Sequence, residues 1–456
     1  MDRSPPPSAA SRVAHVVASE ACERFAFYGT SSILTVYLAQ WLLYDGADAR
    51  AAYHLFQVAA YLTPLLGAWV ADRLLGRYRT ILLVSALSIA GQGVLALWPT
   101  RAGLLLGLSL ISLGAGGLKP CLSAFVGDQV EGADPAVLDR IYGWLYWTVN
   151  LASAAARVLL PALLPRQGPR VAFAVSGAAV LAGLGILVAG GGRYRRAPVV
   201  GPDRHGLARV IGRALRRLGT GRPGEHWLDA ARDRHPAEAV EGAKAVLRIV
   251  VVFAAVIPFW ALFDQRGSSW VLQGRAMPAA LGSWTLEAAQ LQALDPAFVL
   301  VLVPLLGWGI FPWLARRGID LAPLRKMSAG MFVTVASFVA AALVQWRIDA
   351  GQPPHLLWQV PQYALLATGE VLVAVTGLEF SYTQAPRAMR STILSIWFLT
   401  VAAGNLLTAV AAKLVTLRGA GYFWFFAALM LAAALGFRQV AGRRRPAAGA
   451  IASPGR

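Results

Sequence analysis

The chain has 456 residues, 57% of them apolar and only 14% charged, with a formal net charge of +19. A soluble domain of this size carries roughly a quarter charged residues, so a water-soluble globular fold is excluded at the outset. The basic excess would suit a polynucleotide, but the lysines and arginines gather in the termini and in alternate loops, which is the signature of membrane topology. Nucleic acid is therefore not an expected partner.

Runs of about 20 mostly apolar residues recur along the chain, each long enough to cross a bilayer as a helix. They centre near residues 28, 62, 88, 113, 151, 180, 259, 305, 336, 366, 402 and 428, which makes twelve. The runs do not alternate apolar and polar residues, so they predict helices and not a barrel. An even count puts both termini on one side, and the basic bias makes that side cytoplasmic. The expected location is a cell (inner) membrane, crossed many times. The start, "MDRSPPPSAASR", leads into a charged span and predicts no cleavable signal peptide. Cys22 and Cys121 both fall in spans and imply no disulfide framework.

The first span holds "ASEACERFAFYG", residues 18–29. Glu20, Glu23, Arg24, Phe27, Tyr28 and Ser31 follow the spacing i, i+3, i+4, i+7, i+8, i+11 and share one helix face about 140° wide. Each charge at the bilayer centre costs roughly 2.5–3.5 kcal/mol. That face must line a wet cavity or pair with other helices. Two carboxylates against one guanidinium leave a carboxylate over for a proton or a substrate, although a purely structural brace would use the same residues.

Further along come His54 in the second span and Lys119 in the fourth, then Tyr146 and Asn150. The stretch 192–244 is a polar break with twelve Lys or Arg against six acidic residues. Within it "GLARVIGRALRRL" places Leu207, Val210, Ile211, Leu215 and Leu218 on one side, which suits either a helix lying on the membrane surface or a solvated linker helix. The break divides the chain into a tail (1–14), a six-helix half (15–191), the linker (192–244), a second six-helix half (245–440) and a final tail (441–456). In the second half stand Arg248, Trp260, Asp264, Asp295, Glu370 and Trp397.

These residues carry a resemblance. "EACERFAFYG" resembles the ExxERFxYYG signature of the proton-dependent oligopeptide transporter family of the major facilitator superfamily. "YLTPLLGAWVADRLLGRYRT" (61–80) is similar to the superfamily loop between spans 2 and 3, through Gly67, Asp72, Gly76 and Arg77. "GAGGLKPCLSAFVGDQ" (114–129), "LYWTVN" (145–150), "PFWALFDQRGSSWVLQ" (258–273) and "GEVLVAVTGLEFSYTQAP" (369–386) resemble the family's motifs in spans 4, 5, 7 and 10, in order.

The resemblance implies an all-α, twelve-helix facilitator fold of two six-helix bundles that rock around a central site. It implies import of di- and tripeptides with protons, without a cofactor or a metal. Arg24 and Lys119 become the clamp for the peptide carboxylate, with Tyr28, Tyr146, Asn150, Trp260, Asp295, Glu370 and Ser381 completing the substrate site. Glu370 is the candidate for the ammonium pole. Glu20, Glu23, His54, Asp264 and Glu370 become candidates for proton coupling, and Arg248 with Asp264 a gate, although sixteen residues of helix separate those two. His54 would also serve as an ordinary interhelical hydrogen bonder, Lys119 as a packing cation and Trp397 as a pocket wall or a lipid-facing ring.

Four positions depart from the family pattern. Phe27 stands for a tyrosine, Ser31 for an arginine, Asp295 for an asparagine and Arg157 for a small residue; Arg157 could restore the charge absent at Ser31. Another small anion, such as nitrate, an amino-acid conjugate, or the role of a transport-dead peptide sensor, stays open beside peptide import. No HExxH, nucleophile–base motif or nucleotide loop argues for an enzyme. A monomer embedded in lipid is expected.

Overall fold

The computed structural model describes residues 9–199, 204–219, 225–319, 322–384 and 389–443. The outer parts of both predicted tails, two short pieces of the linker and the last two residues of the span-10 motif lie outside them. The described chain is almost wholly helical. In order the helices are α1 (Ala9–Gln40), α2 (Gly46–Val70), α3 (Arg77–Leu97), α4 (Arg101–Gln129), α5 (Pro135–Ala189), α6 (Leu207–Arg216), α7 (Ala237–Ala254) and α8 (Ile257–Phe263). Then follow α9 (Ser269–Gly274), α10 (Leu294–Pro304), α11 (Phe311–Arg316), α12 (Pro323–Asp349), α13 (Val360–Glu370), α14 (Thr376–Gln384), α15 (Arg390–Leu414) and α16 (Ala420–Arg443).

Among the described residues, nine helical stretches are long and apolar enough to cross a membrane, or ten when the bent pair 237–254 and 257–274 is one span. The stretch 136–189 is too long for one crossing, and its helix breaks at Gly168, where φ is +76°. Counting it twice and adding α1, whose buried charges lower its apparent hydropathy, gives an arrangement consistent with twelve crossings. Trp69, Leu105 and Trp308 are among many large apolar side chains that stay exposed on the spanning stretches, as a lipid-facing surface requires.

The buried apolar clusters fall into two sets. One is built from residues between Val13 and Tyr194, the other from residues between Val246 and Phe437. Several spans cross closely enough to require glycine. A Cβ on Gly67 of α2 would stand 2.4 Å from the Gly117 Cα of α4, and one on Gly116 would stand 1.9 Å from Thr63 Oγ1. Small residues of this kind let helices approach in lipid, where burial of apolar surface gives no drive.

The linker has a small core of its own. Val210 and Ala214 of α6 pack on Leu228, Ala231, Val240 and Ala243, and α7 begins at Ala237, inside the expected linker. This core divides the apolar set read from the sequence: Val210 is covered, whereas Leu215 remains 53% exposed and Leu218 is exposed as well. Arg213 and Arg217 pair with Asp233, and Lys244 donates to Asp229 and Glu241, lacing the unit together.

The two sets of transmembrane helices meet toward the end opposite the termini, called the far end below. Thr35 Oγ1 donates to the Gly267 carbonyl at 2.6 Å, Gln292 Nε2 to Ser32 O at 3.0 Å, and Gln290 Nε2 to Val158 O at 3.0 Å. Lys413 pairs with Asp48, and the Arg50 guanidinium stands 4.7 Å from the centre of the Tyr422 ring.

Candidate functional site

The charged face of α1 is buried and turned inward. Arg24 Nε lies 2.9 Å from Glu23 Oε2 and 3.9 Å from Glu20 Oε1, and Ser123 Oγ donates to Glu20 at 3.1 Å. The i, i+3, i+4 spacing puts all three on one side of a helix. Lys119 faces the same space from α4. Its Nζ is buried without a hydrogen-bond partner and stands 3.8 Å from the centre of the Phe27 ring and 4.3 Å from that of Tyr61. Lys119 is thus held by aromatic faces, not by a direct pair with Glu20 or Glu23. The departure at Phe27 supplies one of these faces. At Ser31 the hydroxyl joins Tyr53 and Gln57: Gln57 Nε2 donates to Ser31 at 2.9 Å and to Tyr53 at 3.0 Å.

The second half presents an acidic pole. Asp295 Oδ2 lies 3.3 Å from Arg157 Nη1 and 3.5 Å from Arg266 Nη2. The Glu370 carboxyl comes within hydrogen-bonding reach of Asp295. Asp295 Oδ1 and Glu370 Oε2 are both buried without a partner. Arg157 does not take the place of a cation beside Ser31; it turns to Asp295 and over Tyr28, 4.8 Å from that ring centre. Tyr146 lies within electrostatic reach of Glu370 and Asp295 yet is 38% exposed, so it fronts a gap between the halves. Asn150 lies one turn further along α5 and donates to the Tyr146 carbonyl at 2.9 Å.

A hydrogen-bonded chain runs between the halves beside these poles. Asn405 Nδ2 donates to Asp264 Oδ2 at 2.7 Å, so its oxygen accepts from His54 Nδ1 at 2.7 Å. That leaves His54 Nε2 to accept from the Ser268 hydroxyl at 2.9 Å in the neutral ring. His54 therefore is an interhelical hydrogen bonder, and it also links α2 to the acid Asp264. Trp260 packs edge-on against Trp397 at 5.7 Å, and both are buried. Trp397 is a wall inside the second half and does not face lipid.

Two candidates stand apart from this cluster. Ser381 is buried and donates to Gly377 O on its own helix at 2.5 Å. Arg248 lies exposed on α7, one helix before the bend, while Asp264 takes Asn405. Arg266 and Asn405 are among the contributors that escaped the sequence reading. Arg266 sits within the quoted "FDQRGSS", and a buried arginine in an apolar run is itself a signal. Asn405, in "VAAGNLL", carries no such mark.

Residues 78–425 match the family model described as PTR2, POT family. The chain belongs to the POT family. It is 33% identical over 390 residues to solute carrier family 15 member 2 of Rattus norvegicus, covering 80% of this chain and 53% of the relative. The chain spans about half the length of the curated relatives it matches. Among solved structures it resembles the POT family transporter PepTSo, with a TM-score of 0.90 and 35% identity, over 96% of this chain and 99% of that one. It also resembles an auto-inhibited POT family peptide transporter, with a TM-score of 0.89 and 34% identity, over 95% and 97%. The POT member is thus a multi-pass membrane protein with the all-α major facilitator fold.

Proposed function

We propose that this POT member is a symporter that brings di- and tripeptides across a cell (inner) membrane together with protons, with both termini in the cytoplasm. A peptide of any sequence keeps a carboxylate at one end and an ammonium at the other. The observation that carries the reading is a site with both complements, in opposite halves: Arg24 and the unpartnered Lys119 against Asp295 and the unpartnered Glu370 oxygen. The POT structure it resembles at 34% identity is named a peptide transporter.

In this mechanism Glu20 and Glu23 hold Arg24 when the site is empty. Protonation of a carboxylate loosens that pair, and the peptide carboxylate takes its place on Arg24 and Lys119. The ammonium goes to Glu370 and Asp295, with the Asn150 amide and the Tyr28 and Tyr146 rings beside the backbone. Closure of the far end through Thr35, Gln292 and the His54–Asn405–Asp264 chain then turns the site toward the termini. Asp264 and His54 offer a route by which a proton reaches the closing contact.

Competition uptake into liposomes tests the substrate class. Unlabelled di- and tripeptides reduce uptake of labelled Ala-Ala strongly, whereas single amino acids and nitrate do not. Equal competition by nitrate would replace the peptide reading with that of a small-anion carrier.

A further inference from the structure

Arg157 reaches from α5 of the first half to an acid of the second. Its Nη1 lies 3.3 Å from Asp295 Oδ2 and donates to the Gln292 carbonyl at 3.4 Å. Only 6% of the residue is exposed, and a charge buried to that degree needs a partner. Asp295 already has one in its own half, since Arg266 holds the same oxygen at 3.5 Å. The neighbouring residue Val158 accepts from Gln290, so Arg157 belongs to the set of contacts that closes the far end.

The partner it takes is the pole at which a cargo cation would sit. Two carboxyls within hydrogen-bonding reach, Asp295 and Glu370, tolerate each other only with a proton or a cationic donor between them. Each also keeps one buried oxygen without a partner. An ammonium group has three N–H donors and no acceptor, which suits that pair.

We propose that Arg157 is a built-in stand-in for the cargo ammonium, delivered to Asp295 as the far end closes and withdrawn as it opens. The inference rests on the peptide reading above. With the far end open, Arg266 is the cation left beside Asp295, Glu370 and Asp264, and the excess of acid over base attracts an ammonium. With it closed, Arg157 adds a second positive charge and weakens that attraction, so the cargo leaves toward the termini. Arg157 acts on the substrate through Asp295 and is a positioning residue. Its stacking on Tyr28 ties the same movement to the helix that carries Arg24.

The test measures binding of Ala-Ala and of N-acetyl-Ala-Ala, which keeps the carboxylate and lacks the ammonium, to the purified full chain. In Arg157→Met the affinity for Ala-Ala rises about tenfold or more, and that for the acetylated peptide stays as in the wild type. Arg157→Lys keeps the wild-type ratio, and Arg157→Gln repeats the test should the methionine variant fail to fold. A wild-type ratio in the Met and Gln variants, or an equal change for both peptides, overturns the proposal and leaves the peptide reading standing. A wild type that binds neither peptide removes the peptide reading and this inference with it.

Discussion

At the scale of single residues, the site is a matter of charges that lack ordinary partners. Glu20 and Glu23 share one guanidinium, and Lys119 has aromatic rings where an ion pair would be usual. In the proposed function the surplus carboxylate is the proton carrier. Glu23→Gln therefore lowers gradient-driven peptide uptake by about tenfold or more while exchange of internal for external peptide continues, because exchange needs no net proton movement. Gradient-driven uptake at the wild-type rate would remove Glu23 from the proton path. The charged face was legible in the sequence because helical spacing fixes which residues share a side. Asp295 pairing with Arg157 and Arg266 was not, since contacts 138 and 29 positions apart leave no local pattern. Ser381 shows the opposite failure: a serine hydroxyl can turn to its own helix, and nothing in the surrounding letters says that it does.

At the scale of elements, close helix crossings and the linker core set what the bundles tolerate. A Cβ at Gly67 would meet the backbone of Gly117, which cannot move aside as a side chain can. Gly67→Leu lowers the thermal midpoint by about 5 °C or more, read by a fluorescence melt of the detergent-solubilised chain. In the linker, the hydrogen bond from Lys244 holds the Asp229 carboxyl below its usual range, and Arg213 does the same for Asp233. Depressed acids contribute stability that is complete above the ordinary aspartate range, near pH 4, and is lost as pH falls through their lowered values. Amide protection factors in residues 207–216 and 227–233, corrected for intrinsic exchange at each pH, accordingly hold from neutrality down to about pH 4 and fall below it. The amphipathic pattern of α6 was readable, but which part of its apolar side would be covered depended on helices arriving from later in the chain.

At the scale of the molecule, two bundles meet at the far end through hydrogen bonds and the Lys413–Asp48 pair, while Tyr146 fronts a gap. The division into two halves was legible from the polar break and from the spacing of the apolar runs. The side on which the halves touch was not, because its contacts join residues hundreds of positions apart. Cysteines placed at Asp48 and Lys413 and bridged by a short bis-methanethiosulfonate cross-linker, sized to the side chains they replace, stop uptake, and reductant restores it. Uptake that persists in the cross-linked protein would mean that the far end does not open during transport. The central claim, proton-driven peptide symport, is tested most directly by Ala-Ala accumulation in liposomes holding the purified protein, with an inwardly directed proton gradient imposed. The account predicts internal peptide rising above the external concentration, and only equilibration once a protonophore collapses the gradient. Equal uptake with and without the gradient would contradict it.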